Sequence, residues 1–305
     1  MLSYLHEFHA GNHADVLKHF VLTLVLDSLN KKQKPFTFFD THSGAGKYNL
    51  NDEKSLKTGE AASGIKRLLA FCDSCKDDEV PFSLKKYIQL VSDCMNKGFY
   101  PGSPFIEQYF LRPDSKLILS ELHNSENLLL KKNIIGDNIQ IHHRNGWEMI
   151  NALTPPVIKR GAVLIDPSYE ELSDYENVVK TFKILNKKWN VGIFCLWYPL
   201  LAYKKNIIDE MLEGIVSEAK KSNSNAEILN VTLSVNSEDS HKESSLSEAI
   251  GSKTPRLYGS GMLIVNVPWK IQEQLEESLP FIIKCLDVEN CGGFDIKKYL
   301  FIAKL

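Results

Sequence analysis

Phe36-Thr37-Phe38-Phe39-Asp40-Thr41-His42-Ser43-Gly44-Ala45-Gly46-Lys47 is the stretch whose reading decides the fold. Phe36 to Phe39 is a short apolar run, the pattern of a strand buried on both faces. It ends at Asp40 and enters a turn in which Gly44 and Gly46 let the backbone bend tightly and approach a ligand without a Cβ collision. A strand feeding such a turn opens a nucleotide-type β-α unit. Two common variants fail by position. A phosphate-binding P-loop needs glycine where Thr41 stands and Ser or Thr where Tyr48 stands, and the dinucleotide fingerprint needs a third glycine where Asn49 stands. The loop therefore bends around something that has no pyrophosphate.

Outward from this stretch, helix-like and strand-like patterns alternate. Upstream, Val16, Leu17, Phe20, Val21, Leu24, Val25 and Leu29 form an apolar stripe at helical spacing over residues 13–30. Downstream, strands are predicted at 117–121, 139–142, 162–165 and 191–197, with helices near 124–134, 145–152, 172–187 and 201–221. Residues 228–235 and 262–267 read as a closing antiparallel pair. This order implies α/β units around a mainly parallel, Rossmann-like sheet, here expected to have seven strands with the last antiparallel. Residues 51–100 break the rhythm with helical patterning at 62–72 and 82–97, so one domain over residues 1–305 is expected to carry an inserted helical subdomain. Residues 236–255 are Ser-rich and polar, which suggests a loop between the last two strands.

Composition narrows the class. The formal net charge is -2, so any contact with a polyanion must come from a local patch rather than from the whole surface. Lysine pairs such as Lys131-Lys132, Lys187-Lys188 and Lys204-Lys205 are candidates that equally suit a solvated surface. No apolar run approaches the ~20 residues of a membrane span, and the N-terminus lacks a signal-peptide pattern. The six cysteines show no framework spacing, so reduced thiols in a cytoplasmic protein are expected. Cys72-x-x-Cys75 is at most half of a zinc site. The series His6, His9, His13 and His19 also has ligand-like spacings.

S-adenosylmethionine, a sulfonium nucleoside without phosphates, meets the requirement set by the glycine loop. Its ribose calls for an acidic acceptor at the end of the second strand, where Glu121 stands, and Asn145-Gly146 occupies the place of an adenine-ring contact. The strand at 162–165 then delivers Asp166-Pro167-Ser168-Tyr169 at its C-terminal end. An adenine amino group is a poor nucleophile because its lone pair is delocalised into the ring. The Asp166 side chain and the Pro167 carbonyl offer two acceptors for its N–H groups, which would turn the lone pair towards a methyl donor. Tyr169 offers a flat face for the base, a contact worth about 1–3 kcal/mol. Asn266-Val267-Pro268-Trp269 has a similar pattern, but it follows the closing antiparallel pair and is expected far from the switch point.

With these residues identified, the chain resembles the RlmJ family of bacterial 23S ribosomal RNA adenine-N6 methyltransferases. The resemblance rests on Tyr4, on Phe8-His9-Ala10-Gly11-Asn12-His13-Ala14-Asp15-Val16-Leu17-Lys18-His19, and on Asp40 to Gly46. Tyr100-Pro101-Gly102-Ser103-Pro104, Leu196-Trp197-Tyr198-Pro199 and Gly259-Ser260-Gly261-Met262 extend it to about Lys270. It implies a class I methyltransferase fold, S-adenosylmethionine as donor and 23S rRNA as substrate, with no metal and no membrane contact. A monomer is expected. By position, Lys18, His19, His42, Gly44, Gly46, Ser103, Glu121, Asn145, Gly146 and Asp166 correspond to cofactor contacts. Asp166, Pro167 and Tyr169 correspond to the catalytic loop, and Tyr4 with Tyr169 to substrate contacts. The chain departs from the family pattern at Ser168, where a second proline is usual, and at Asn145, where an aspartate is usual. Two alternatives remain open at this point: a DNA adenine methyltransferase, and an RNA-binding protein that keeps the fold without turnover.

Overall fold

The buried runs read from the sequence become the centre of one mixed sheet in the computed structural model, which describes residues 6–52, 59–238, 257–287 and 289–299. Tyr4 and residues 239–255 of the Ser-rich stretch lie outside them. The strands are β1 (Thr37–Asp40), β2 (Lys47–Tyr48), β3 (Tyr100–Pro101), β4 (Lys116–Ser120), β5 (Ile139–His142), β6 (Gly161–Ile165), β7 (Ile193–Leu200), β8 (Ile228–Ser234), β9 (Gly259–Val265) and β10 (Gly293–Lys298). The helices are α1 (His13–Asn30), α2 (Glu60–Ser63), α3 (Ile65–Ser74), α4 (Phe82–Asn96), α5 (Ser103–Phe110), α6 (Asn124–Asn133), α7 (Gly146–Leu153), α8 (Leu172–Lys188), α9 (Lys205–Ser222) and α10 (Ile271–Leu286).

The main sheet has the order β10-β8-β9-β7-β6-β1-β4-β5. Strands β5, β4, β1, β6 and β7 are mutually parallel, and β9 runs antiparallel to both β7 and β8. Seven strands in a parallel-plus-one arrangement are as expected, but the sheet has eight. The extra strand, β10, pairs antiparallel with β8 at the edge. Its sequence Gly293-Phe294-Asp295-Ile296-Lys297-Lys298 has no apolar run, because an edge strand is half solvated and lysine there discourages pairing with other chains.

Register explains where the site forms. Asp40 pairs with Leu119 on one side and Leu164 on the other, so His42, Glu121 and Asp166 all stand two residues further along, on one level. This edge is the switch point, where the chain leaves β1 in opposite lateral directions to reach β4 and β6. Asn266 to Trp269 follow Val265, which pairs with Phe194 near the start of β7, and so lie at the opposite edge.

Helix α1 is not amphipathic: every residue from Ala14 to Leu26 is buried. Asn12 caps it, its side chain accepting from Asp15 N. Helices α2, α3 and α4 lie between two short strands. Strands β2 and β3 pair antiparallel, Tyr48 opposite Tyr100, so the chain returns to the place it left and delivers Ser103 beside the glycine loop. Apolar residues of α1, α3, α4 and α10 share one core with that side of the sheet, while α8 and α9 cover the other side.

Candidate active site at the C-terminal edge of the sheet

A cavity of about 300 Å³ opens at this edge, and residues from α1, the glycine loop, α5 and the loops after β4, β5 and β6 line it. Lys18, His19, His42, Gly44, Ser103, Glu121, Asn145, Gly146, Asp166 and Pro167 are all brought together there. Gly46 and Tyr169 are not among the lining residues.

The two glycines of the loop do different work. Gly44 has φ +60°, and a Cβ on it would lie 2.3 Å from Tyr48 Oη. Its N–H donates to Glu121 Oε2 at 2.8 Å, while His123 N donates to Oε1 at 2.6 Å. These two bonds fix the carboxylate and still leave a lone pair on each oxygen for hydroxyl donors. Gly46, with φ +77°, serves the scaffold: a Cβ there would press on Ile134, which ends α6, and its carbonyl accepts from Gly102 N.

Asn145 stands where an adenine-ring contact was expected, and its side-chain oxygen is used within the fold. Asn145 Oδ1 caps α7, accepting from Trp147 N at 2.8 Å and Glu148 N at 3.4 Å. Only its amide donors remain for a ligand. Gly146 is required by close packing, since a Cβ there would sit 2.0 Å from the Thr41 carbonyl oxygen.

His42 donates or accepts at Thr41 Oγ1 (2.8 Å) and meets Trp147 edge-on at 5.0 Å. Burial pushes its pKa down to about 4, against the pull of Asp166. His19 contacts Tyr100 Oη at 2.9 Å, and burial pushes it down to about 3. Both rings are therefore neutral at pH 7. Ser103, the first residue of α5, donates to Asp40 Oδ2 at 2.8 Å, and His42 N donates to Oδ1 at 3.0 Å. Asp40 was not singled out from the sequence, although an acid ending a buried strand before a glycine turn was the available signal. Burial raises its pKa to about 7, and the two hydrogen bonds only partly offset this. Glu107 on α5 is also fully buried, and desolvation together with Asp40 lifts it well above the carboxylate range.

Lys18 reaches from α1 to Asp166 Oδ2 at 2.8 Å and to Asp15 Oδ1 at 2.9 Å. It thus occupies one of the two oxygens on the carboxylate proposed for catalysis. Tyr169 departs most from expectation. Its φ is +54°, a left-handed conformation that is costly for a bulky side chain. That turn sends the ring into the core, 2% exposed, where it packs 4.9 Å from Tyr175, and its hydroxyl donates to the Trp197 carbonyl at 2.9 Å. In this conformation the ring cannot offer its face to a base in the cavity. Among the histidines of the N-terminal series, His6 bonds Asp15 and His9 bonds Glu60. No cluster of metal-ligand type occurs among the described residues.

The sheet order, the glycine loop, the acid after β4 and the Asp-Pro loop after β6 together define a Rossmann-like methyltransferase. A family model described as "Ribosomal RNA large subunit methyltransferase D, RlmJ" matches residues 33–299. The chain belongs to the RlmJ family. It is 36% identical over 286 residues to "Ribosomal RNA large subunit methyltransferase J" of Escherichia coli K12, covering 92% of this chain and 93% of that one. It is 35% identical to the protein of the same name from Haemophilus influenzae Rd, covering 97% and 98%. A solved structure, protein LPL1258 of Legionella pneumophila, superposes with a TM-score of 0.78 at 28% identity, covering 95% and 98%.

Proposed function

We propose that this protein transfers a methyl group from S-adenosylmethionine to the exocyclic N6 of an adenine in 23S rRNA. The single observation that carries the reading is the level placement of His42, Glu121 and Asp166 around one cavity at the switch point. The residues suit the donor. Glu121, Glu126, Asp166, Glu170, Glu171 and Asp174 line the cavity against one lysine, an environment that favours a cation. When bound, S-adenosylmethionine supplies an electrophilic methyl group on its sulfonium.

The chain's own residues then hold and orient. Glu121, fixed by two backbone N–H groups, has acceptor capacity for the ribose hydroxyls. His19 and His42 stay neutral and add no repulsion towards a sulfonium. The Asp166 carboxylate and Pro167 carbonyl accept the two N–H groups of the target adenine. For Asp166 to use Oδ2 in this way, Lys18 has to share or release it. Acceleration comes mainly from positioning. The base must be out of its stack to reach the loop. With Tyr169 buried, Trp147 is an aromatic side chain among the cavity's lining residues, and the half-buried Trp197 has its ring centre 5.8 Å from Lys18 Nζ.

The reading supports an RNA substrate through the relatives' names, and cytoplasmic action as a monomer completes it. Labelled donor offered with unmodified 23S rRNA and with duplex DNA of equal adenine content tests it. Transfer to rRNA in excess is expected. Transfer to DNA in excess favours the DNA methyltransferase alternative, and donor binding without any transfer favours an RNA-binding protein.

A further inference from the structure

The family's second proline is absent here, and a proline at 168 would restrict both its own φ and the conformation of Pro167. Ser168 imposes neither restraint, yet the next residue, Tyr169, holds a left-handed φ of +54° that must be enforced by something else. Two hydrogen bonds hold it. The Tyr169 hydroxyl is anchored on the Trp197 carbonyl at 2.9 Å. The Tyr169 carbonyl accepts from Lys204 Nζ at 3.0 Å.

Lys204 is well built for this task. It sits at the junction of a short 3-10 turn (Ala202–Lys204) and α9, directly after β7, so its backbone is fixed by the strand that pairs with β6. Its ammonium lies over the Tyr175 ring at 5.2 Å and over the Tyr203 ring at 5.8 Å. Both contacts attract the ammonium to a ring face and hold the charge near the loop. Lys204 is not among the cavity's lining residues, so its reach to the reaction runs through Tyr169.

We propose that Lys204 is a positioning residue that straps the Tyr169 carbonyl and thereby holds the Asp166-Pro167 acceptors in register, in place of the missing proline at 168. The inference rests on the adenine methyltransferase reading for its kinetic consequence, while the strap itself is a statement about the loop.

The test compares wild type, Lys204→Met, Lys204→Arg, Ser168→Pro and the double variant Lys204→Met/Ser168→Pro. Turnover on 23S rRNA is measured alongside hydrogen exchange of the peptide spanning 166–175 and S-adenosylhomocysteine affinity. In Lys204→Met, kcat is expected to fall about tenfold with KM for RNA and S-adenosylhomocysteine affinity within about twofold. Loop amides are expected to exchange about tenfold faster. Lys204→Arg keeps most of the rate. In the Lys204→Met background Ser168→Pro recovers at least about half of the logarithmic loss, measured against Ser168→Pro alone, and slows loop exchange. An unchanged kcat and unchanged exchange in Lys204→Met overturn the proposal. So does a loss confined to KM for RNA, which would make Lys204 a phosphate contact, or a double variant no better than Lys204→Met. If wild type shows no transfer, the functional reading fails, and the exchange data alone still decide whether the strap exists. Should Lys204→Met melt markedly lower, Lys204→Gln, which keeps a neutral donor, is compared in the same way.

Discussion

At the scale of single residues, Asp166 and Asp40 show how position on one edge separates two carboxylates. Asp166 stands at the cavity, one oxygen held by Lys18, and Asp166→Ala should lower turnover by at least about a hundredfold while leaving S-adenosylhomocysteine affinity measurable by calorimetry. Asp40 is sealed beneath it, and burial raises its pKa to about 7 from an ordinary value near 3.8. Between those values the folded state holds a proton that the unfolded state has lost, so this group's contribution to stability is present at pH 4 and declines as pH rises to about 7. Asp40→Asn removes the titration. In urea unfolding the variant should match wild type near pH 4 and exceed it increasingly as pH rises, by on the order of 4 kcal/mol at pH 8. A variant less stable than wild type at pH 8 would show that Ser103 and His42 N need the charge. Of the candidate site, Glu121, Asn145 and Asp166 were legible in the sequence because they follow strand ends, whereas Lys18, His19, His42 and Ser103 were reached only through the family resemblance. Tyr169 was not, because its role turns on the sign of one φ, which residue type does not report. Asn145 was misread for a related reason: the same oxygen suits a ligand or a helix cap, and only the start of α7 decides between them.

At the scale of elements, α7 and the β2–β3 ribbon set the geometry of the cavity wall. Asn145→Ala removes the cap on α7 and should cost about 1 kcal/mol, whereas Asn145→Asp keeps the acceptor and adds a charge favourable at a helix N-terminus. Thermal melting of both variants checks the order Asp above Ala. Gly146→Ala is more severe, since its Cβ would meet the Thr41 carbonyl oxygen at 2.0 Å and force α7 away from the glycine loop. Weaker S-adenosylhomocysteine binding and a lower melting temperature are both expected there. Central elements were readable because strands buried on both faces demand unbroken apolar runs, as in Gly161–Ile165. Helices α5 and α10 and the two-residue strands β2 and β3 escaped notice. The two strands are too short for periodicity to register, and they exist only because the chain returns from the insertion opposite the point where it left.

At the scale of the whole molecule, a near-neutral chain belonging to an rRNA methyltransferase family presents an acidic cavity at the C-terminal edge of a sheet that ends in a charged edge strand. Truncation after Asp287 removes β10 and uncovers the β8 edge, so light scattering should show association of the shortened chain at concentrations where the full chain stays dispersed. The proposed reaction is methylation of N6 of a 23S rRNA adenine at the Asp166 loop. Its most direct test is nucleoside mass spectrometry of unmodified 23S rRNA after incubation with S-adenosylmethionine and either wild-type protein or Asp166→Ala. N6-methyladenosine is predicted with wild type and absent with Asp166→Ala. Its absence with folded, cofactor-binding wild type, or its persistence with Asp166→Ala, would contradict the account.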